Sequence, residues 1–390
     1  MEPVSTASER DDRKSAALAA RHFEADVEAE VVRQFALGRS VLRTVGMRQA
    51  GIGAEQIKVG NPDQMSVFFL DGDAHKRRRS AIARFFTPKA IATRYRPVMD
   101  RVTQRLIDDL VATGRARIDE ISFELSVEVA AQIIGLTNSN QKAMGERIRR
   151  TLDAGGGTYR VGKLRAMLGF SVAAFHAVQF ATFDVLPAVL ARRRSRQDDV
   201  ISHMLDERYS IKALLIECLT YGAAGMVTTR EFITMAAWHL LEKDSLRAHF
   251  LASDEAGQVT LLEEILRLEP IAGLLQRRAG GDVDGRLCPG RLYAIDVRAA
   301  NTDPAATGPC PHAIDPDRTE GMKGGAAGLS FGDGAHRCPG AQVALQESRL
   351  FLDQLLRVPG LRLAKAPEMR WRSDLMSYEL RDMVVTCAAR

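Results

Sequence analysis

Apolar residues along this chain recur at spacings of three and four through 16–48, 89–113, 119–136, 141–152, 160–194 and 211–250, which predicts amphipathic helices over most of the first two-thirds. The polar residues 195–199 read as a connection between helices, and Gly155, Gly156 and Gly157 as a break. From 277 to 297 the pattern changes to short apolar runs punctuated by Gly280, Gly281, Asp284, Gly285, Pro289 and Gly290, which predicts a small sheet with turns. A second β region is expected over 359–388. Between them, 301–330 is rich in Pro and Gly with little periodicity, a length of irregular chain expected only where it serves a function. Ala341, Leu345, Leu352, Leu355 and Leu356 then mark one apolar face of a further helix. The expected architecture is mainly α with a small β-rich region. It forms one domain over 1–390, with its helix-rich core at about 89–270 and 340–357, its β-rich segments at about 277–297 and 359–388, and a flexible start at 1–14.

Composition narrows the class. With 46% hydrophobic and 26% charged residues the chain can bury a large core, which excludes a disordered protein. The 54 Lys and Arg against 49 Asp and Glu leave +5, spread along the sequence, so an acidic partner is expected and a nucleic-acid-binding tail is not. Five widely spaced cysteines in a chain of 390 residues argue against a disulfide framework and for a reducing cytoplasm. The N-terminus is charged where a signal peptide would be apolar, and the longest nearly apolar stretch, the 17 residues between Lys212 and Arg230, contains Glu217. Because a bilayer span needs about 20 apolar residues, a soluble protein without a membrane segment is expected.

The chemistry concentrates at the end of the irregular stretch, in FGDGAHRCPG at 331–340. Cys338 lies just before the predicted helix, where backbone N–H groups and the helix dipole favour a thiolate. Gly332, Gly334 and Gly340 carry no Cβ and would let the loop approach a flat partner closely. A thiolate presented from such a loop suits a haem iron. A zinc site from Cys310, His312, His336 and Cys338 is the weaker reading, because Cys-x-His and His-x-Cys pairs are not a usual zinc spacing. Cys218, Cys288, Cys310 and Cys387 read as core or surface residues.

This segment resembles the haem-binding signature of the cytochrome P-450 family, with Phe331, Gly334, His336, Cys338 and Gly340 at the specified positions. Other motifs follow in the family's order. Glu264 and Arg267 match its Glu-x-x-Arg pair and Arg318 the arginine that completes the triad, which the resemblance makes a structural brace for the haem loop. His75 and Arg79 match its His-x-x-x-Arg pair; with Arg277 and His336 they are implied to contact the haem propionates, and Arg278 is the neighbouring alternative to Arg277. Lys76, Arg77 and Arg78 read as a solvated face. The stretch Ala223, Ala224, Gly225, Met226, Val227, Thr228, Thr229 is similar to the family's helix above the haem. There Gly225 would leave room for dioxygen and Thr228 would offer a hydroxyl. The family's usual acid at the next position is replaced by Val227, and Glu231, one turn on, is a possible proton relay.

The resemblance covers roughly 65–380 and implies the P-450 fold, a triangular prism of helices around a buried haem, of the soluble bacterial type. It implies haem b (iron protoporphyrin IX) with Cys338 as axial ligand, and electrons from NAD(P)H through an acidic ferredoxin and a ferredoxin reductase. The substrate is a small organic molecule, with pocket segments at 60–74, 153–175, 221–228, 271–276 and 376–379. Tyr221, Ala224, Ile271, Leu274, Leu275 and Met376 suggest that the pocket is apolar. Hydroxylation of a hydrophobic molecule in bacterial secondary metabolism is the expected reaction. Oxidative coupling of aromatic rings and a non-catalytic haem-binding recruitment module are the alternatives.

Overall fold

Two short strands interrupt the helical periodicity expected over 16–48. In the computed structural model, which describes residues 11, 13–25, 27–51, 65–156, 163–281, 287–318, 325–373 and 376–388, the strands are β1 (Ala29–Val32), β2 (Met47–Ala50), β3 (Arg115–Arg117), β4 (Leu274–Ala279), β5 (Leu292–Asp296), β6 (Arg362–Lys365), β7 (Glu368–Arg372), β8 (Ser377–Arg381) and β9 (Val384–Thr386). The helix between β1 and β2, Phe35–Arg43, carries the true 3.6-residue pattern of that region and buries Phe35, Val41 and Leu42. Asp284, Gly285 and Gly157 lie outside the described residues.

The chain divides into two compact units. The first comprises Met1–Gly53, His239–Cys338 and Met369–Glu379; the second comprises Ala54–Trp238, Pro339–Glu368 and Leu380–Arg390. In the first, β1, β5, β4 and β2 lie side by side in that order, with β1 parallel to β5 and the other pairs antiparallel. One core joins this sheet to Phe35–Arg43: Val32, Phe35, Leu42, Tyr293, Ile295 and Leu329 pack together. Of the start expected to be flexible, residues 1–10 and 12 lie outside the described residues, while Asp11 and Lys14 have fixed partners. Asp11 accepts the Ile314 amide at 2.8 Å and pairs with Lys243 at 3.1 Å, and Lys14 pairs with Glu242.

The second unit is mostly helical, built on Arg96–Thr113, Ile118–Ile134, Gln141–Gly156 and Ala341–Leu356, with the small sheet β3-β9-β6 beside them. Gly114 and Gly135 end the first two helices in the left-handed conformation, which spares a Cβ clash with the turn. The long helix Ile211–Glu242 contains one π turn, Ala223–Val227, in the segment of small residues. By length and composition both Ile211–Glu242 and Ser171–Arg194 match a bilayer span, more than the run between Lys212 and Arg230 suggests.

Candidate active site

In the first unit the loop at 331–340 closes on itself. The Cys338 amide donates to the Phe331 carbonyl at 2.8 Å, across the 3-10 turn Gly334–His336. Asp333 caps that turn by accepting the Gly334 amide at 2.7 Å, and it receives Arg39 Nε at 2.7 Å and Arg43 Nε at 2.8 Å. Burial alone would push the Asp333 carboxyl up, but the bonds from Arg43 and Arg39 outweigh it and hold the group below the usual carboxylate range. Cys338, Phe331 and His336 are left half-buried.

The three loop glycines have different reasons to be glycine. Gly332 and Gly334 both have φ of +68°. A Cβ on Gly334 would sit 2.2 Å from the Leu42 carbonyl oxygen, so that glycine is required by close packing on Phe35–Arg43. A Cβ on Gly332 would meet nothing nearer than 3.8 Å. Gly340 has an ordinary φ of −85° as the residue before Ala341–Leu356. Of the three, Gly332 combines a left-handed backbone with open space, whereas Gly334 is held by its packing on Leu42.

Glu264, Arg267 and Arg318 meet in a buried network. Arg267 donates to both Glu264 oxygens at 2.7 and 2.8 Å, and Arg318 Nε to one of them at 2.8 Å. The spare guanidinium hydrogens explain the irregular stretch that follows. Arg267 bonds the carbonyls of Asn301, Pro311 and Ala313, and Arg318 those of Thr307, Pro309 and Cys310. Backbone groups that would pair in a helix or sheet are satisfied here by side chains instead. Asn301, which the sequence reading does not single out, joins the network to the haem-type loop: it accepts the Leu329 amide at 2.7 Å and donates to Ser330 Oγ at 2.9 Å.

Ile271, Leu274, Leu275 and Met376 also belong to this unit. Gly273 packs so tightly on the Met376 carbonyl that a Cβ would lie 2.1 Å from it, and Met376 itself has φ of +48°. Arg277 is buried and bonds the Gln276 carbonyl at 2.8 Å, whereas Arg278 bonds the Gly290 carbonyl at the surface. A cavity of about 370 Å³ lined by Ser15, Phe23, Gly273, Arg298, Trp371 and Met376 lies in the same unit, but it touches neither Cys338 nor Arg277.

The second unit holds the other matched motifs. On Gly72–Ala83, His75 is buried and Arg79 half-buried. Arg78, expected on a solvated face, is instead 5% exposed, 3.5 Å from Glu217 and stacked 4.1 Å over the Tyr209 ring. Burial pushes the Glu217 carboxyl up against the pull of Arg78, and burial followed by Glu217 pushes the Tyr221 hydroxyl well up. Tyr221, expected as a pocket wall, is partly taken up by this cluster, with its ring stacked on Phe86 at 6.2 Å.

On the helix at 223–231, Ala224, Gly225 and Thr228 keep accessible surface while Met226 and Val227 are buried. The nearest atom to a Cβ on Gly225 would be 3.5 Å away, so packing does not demand glycine there. The Thr228 hydroxyl bonds back to the Ala224 carbonyl. Glu231 is fully buried; it pairs with Arg230, faces Arg381 Nη1 at 3.0 Å and accepts the Leu380 amide at 2.8 Å. Its expected role as a proton relay is corrected to that of an anchor, because both carboxylate oxygens are committed to fixed partners. Segments 60–64 and 157–162 of the expected pocket lie outside the described residues.

These residues suit a haem better than a bare metal ion. A half-buried thiol on a closed loop beside open space at Gly332 suits a thiolate ligand to haem iron, and buried Arg277 in the same unit suits a propionate carboxylate. Cys310, His312, His336 and Cys338 do not gather: no group of three or more His, Cys, Asp or Glu placed to hold a metal occurs among the described residues.

No protein-family model matches the chain. It is similar to cytochrome P450 107B1 of Saccharopolyspora erythraea, 26% identical over 329 residues that cover 81% of this chain and 75% of that protein. It is likewise similar to the erythromycin C-12 hydroxylase of the same organism, 26% identical over 315 residues that cover 77% and 75%. The fold matches the crystal structure of P450BioI in complex with a fatty-acid-ligated acyl carrier protein, with a TM-score of 0.78 at 21% identity over 96% of this chain and 99% of that one. The chain is thus similar, over more than three-quarters of its length, to bacterial cytochrome P450s, which are oxidoreductases of the monooxygenase type that work with a haem.

Proposed function

We propose that the chain would hold haem b through the Cys338 thiolate and hydroxylates a hydrophobic small molecule of bacterial secondary metabolism in the cytoplasm. The single observation that carries this reading is the closed loop that fixes Cys338 through its 2.8 Å amide bond to Phe331. When bound, the haem supplies dioxygen activation and oxidation of the substrate. The chain's own residues do the rest. His75, Arg79, Arg277 and His336 neutralise the propionates, and the Glu264 network keeps the loop from moving. Ile271, Leu274, Leu275, Met376 and Ala224 offer apolar surface that excludes water from the substrate. Electrons come from NAD(P)H through an acidic ferredoxin and its reductase.

Proton delivery has few routes. Val227 neither donates nor orders water, and Glu231 is locked in ion pairs, so Thr228 Oγ1 is the group on this helix that combines a proton with accessible surface. A polar group on the substrate completes the path to Thr228, which explains why an apolar side chain is tolerated at 227.

The missing acid also favours a second reading, in which a substrate radical escapes oxygen insertion and two aromatic rings couple. Candidate molecules that change the haem spin state, incubated with ferredoxin, reductase and NAD(P)H, separate these outcomes. Hydroxylation gives a product heavier by one oxygen atom, and coupling gives a dimer. Absence of substrate-dependent NAD(P)H consumption across those that bind would contradict both.

A further inference from the structure

Nine large apolar side chains are exposed among the described residues, and six lie on the segment formed by the helix Lys163–Phe180, the π turn Ala181–Val185 and the helix Leu186–Arg194. Val172 is 48% exposed, Phe175 59%, Val178 62%, Phe183 56%, Leu186 46% and Leu190 44%. The π turn widens the helix by one residue per turn and accounts for the five-residue step from Val178 to Phe183. Between Ser171 and Leu190 the sole acidic or basic side chain is Asp184, which is buried and paired with Arg147 at 2.7 Å, and His176 is engaged with Gln179. The face is therefore uncharged along about 27 Å of helix. Arg147, from the neighbouring helix Gln141–Gly156, lies 5.6 Å over the Phe183 ring with its charge paired to Asp184.

The positions of the six residues, though not their identities, are also nearly symmetric about one point. Val172 with Leu190, Phe175 with Leu186 and Val178 with Phe183 all centre on Phe180 and Ala181. A two-fold axis crossing the helix there would lay a second copy antiparallel, each of these residues opposite its counterpart. That is the reciprocal pairing an isologous interface requires. A lipid surface or an unrelated protein gives no reason for such a reversal. Half-exposed side chains of this size offer roughly 100 Å² each, so two copies would bury on the order of 1,200 Å², the lower end of a stable interface.

We propose that this uncharged face is a homodimer interface, in which the helices at 172–190 of two copies of the chain pack antiparallel about an axis at Phe180 and Ala181. The pairing is independent of the haem reading.

The test is sedimentation of the full-length, haem-loaded protein over a concentration series. The native chain should dimerise, and Phe175→Lys should weaken the dimer by at least about 30-fold, the effect of losing an interface hot spot. Leu186→Glu should do the same. Mixing Phe175→Lys protein with Leu186→Glu protein should restore a heterodimer, because the new charges face each other, whereas mixing Phe175→Lys with Leu190→Glu should restore far less. Since both side chains already face solvent, unchanged circular dichroism is expected, and Val178→Lys serves as a second disruptive variant should either fail to fold. A native chain that stays monomeric up to high micromolar concentration would overturn the proposal. So would rescue that does not depend on position. Cosedimentation of a monomeric native chain with anionic phosphatidylglycerol vesicles, abolished by Phe175→Lys, would instead assign the face to lipid.

Discussion

Glu231 and Arg381 stand 150 residues apart in the chain, and their side chains meet at 3.0 Å in a site where the carboxylate is fully buried. The pair ties the helix at 228–242 to the strand end at 380–381, and with Arg230 and the Leu380 amide it commits both carboxylate oxygens to fixed partners. Glu231→Gln should therefore lower stability by about 3 kcal/mol, the cost of leaving buried guanidinium groups uncompensated. NAD(P)H oxidation should stay coupled to product. Thr228→Ala should show the opposite pattern, with near-native melting and reducing equivalents diverted to hydrogen peroxide. Uncoupling in Glu231→Gln at native stability would return the relay role to that residue.

The loop glycines separate in the same way. Gly334→Ala would drive a methyl to 2.2 Å from the Leu42 carbonyl at a φ of +68°, so it should cost more than about 3 kcal/mol and release haem. Gly332→Ala has the same φ but open space, and should cost only about 1 kcal/mol of backbone strain in the haem-free protein. Melting of the two haem-free variants checks the order.

Glu347, on the helix after Cys338, is buried with Ser126 Oγ at 2.7 Å and no cation in its surroundings. Burial pushes its carboxyl up to about 8, with the Ser126 hydrogen bond opposing. The folded state then holds a proton that the unfolded chain releases near the usual carboxylate range of about 4.3, so the contribution is fully present below that value and is lost as pH rises toward about 8. Stability should fall across that window at up to about 1.4 kcal/mol per pH unit. Glu347→Gln should flatten the profile, which chemical denaturation at a series of pH values measures.

Much of the chemistry was legible because it is local. Glu264 and Arg267 are three residues apart on one helix face, and the loop around Cys338 carries its glycines and Asp333 within ten residues. The reading failed where the deciding partner is remote. Arg78 lies in a basic run that looks solvated, yet it shares the buried side of its helix with His75 and Ile82 and finds Glu217 from 139 residues away. Glu231 gave no sign of Leu380 or Arg381 for the same reason. β1 and β2 were hidden by their length, since four residues are too few to register against helical spacing on both sides.

Arg337 is exposed beside Cys338, where a donor protein can reach the loop. If an acidic ferredoxin docks there, first-electron transfer should slow as salt rises, and Arg337→Glu should slow it about tenfold at low ionic strength. Stopped-flow reduction over a salt series checks this, and a rate indifferent to both would place the donor elsewhere.

The axial role of Cys338 is the claim on which the others depend, and it is tested most directly by the spectrum of the ferrous protein with carbon monoxide. The native chain should show the red-shifted Soret band of a thiolate-ligated haem, and Cys338→His should bind haem yet lose that band, because imidazole lacks the thiolate's charge donation. A native spectrum without the shifted band, or its survival in Cys338→His, would contradict the account.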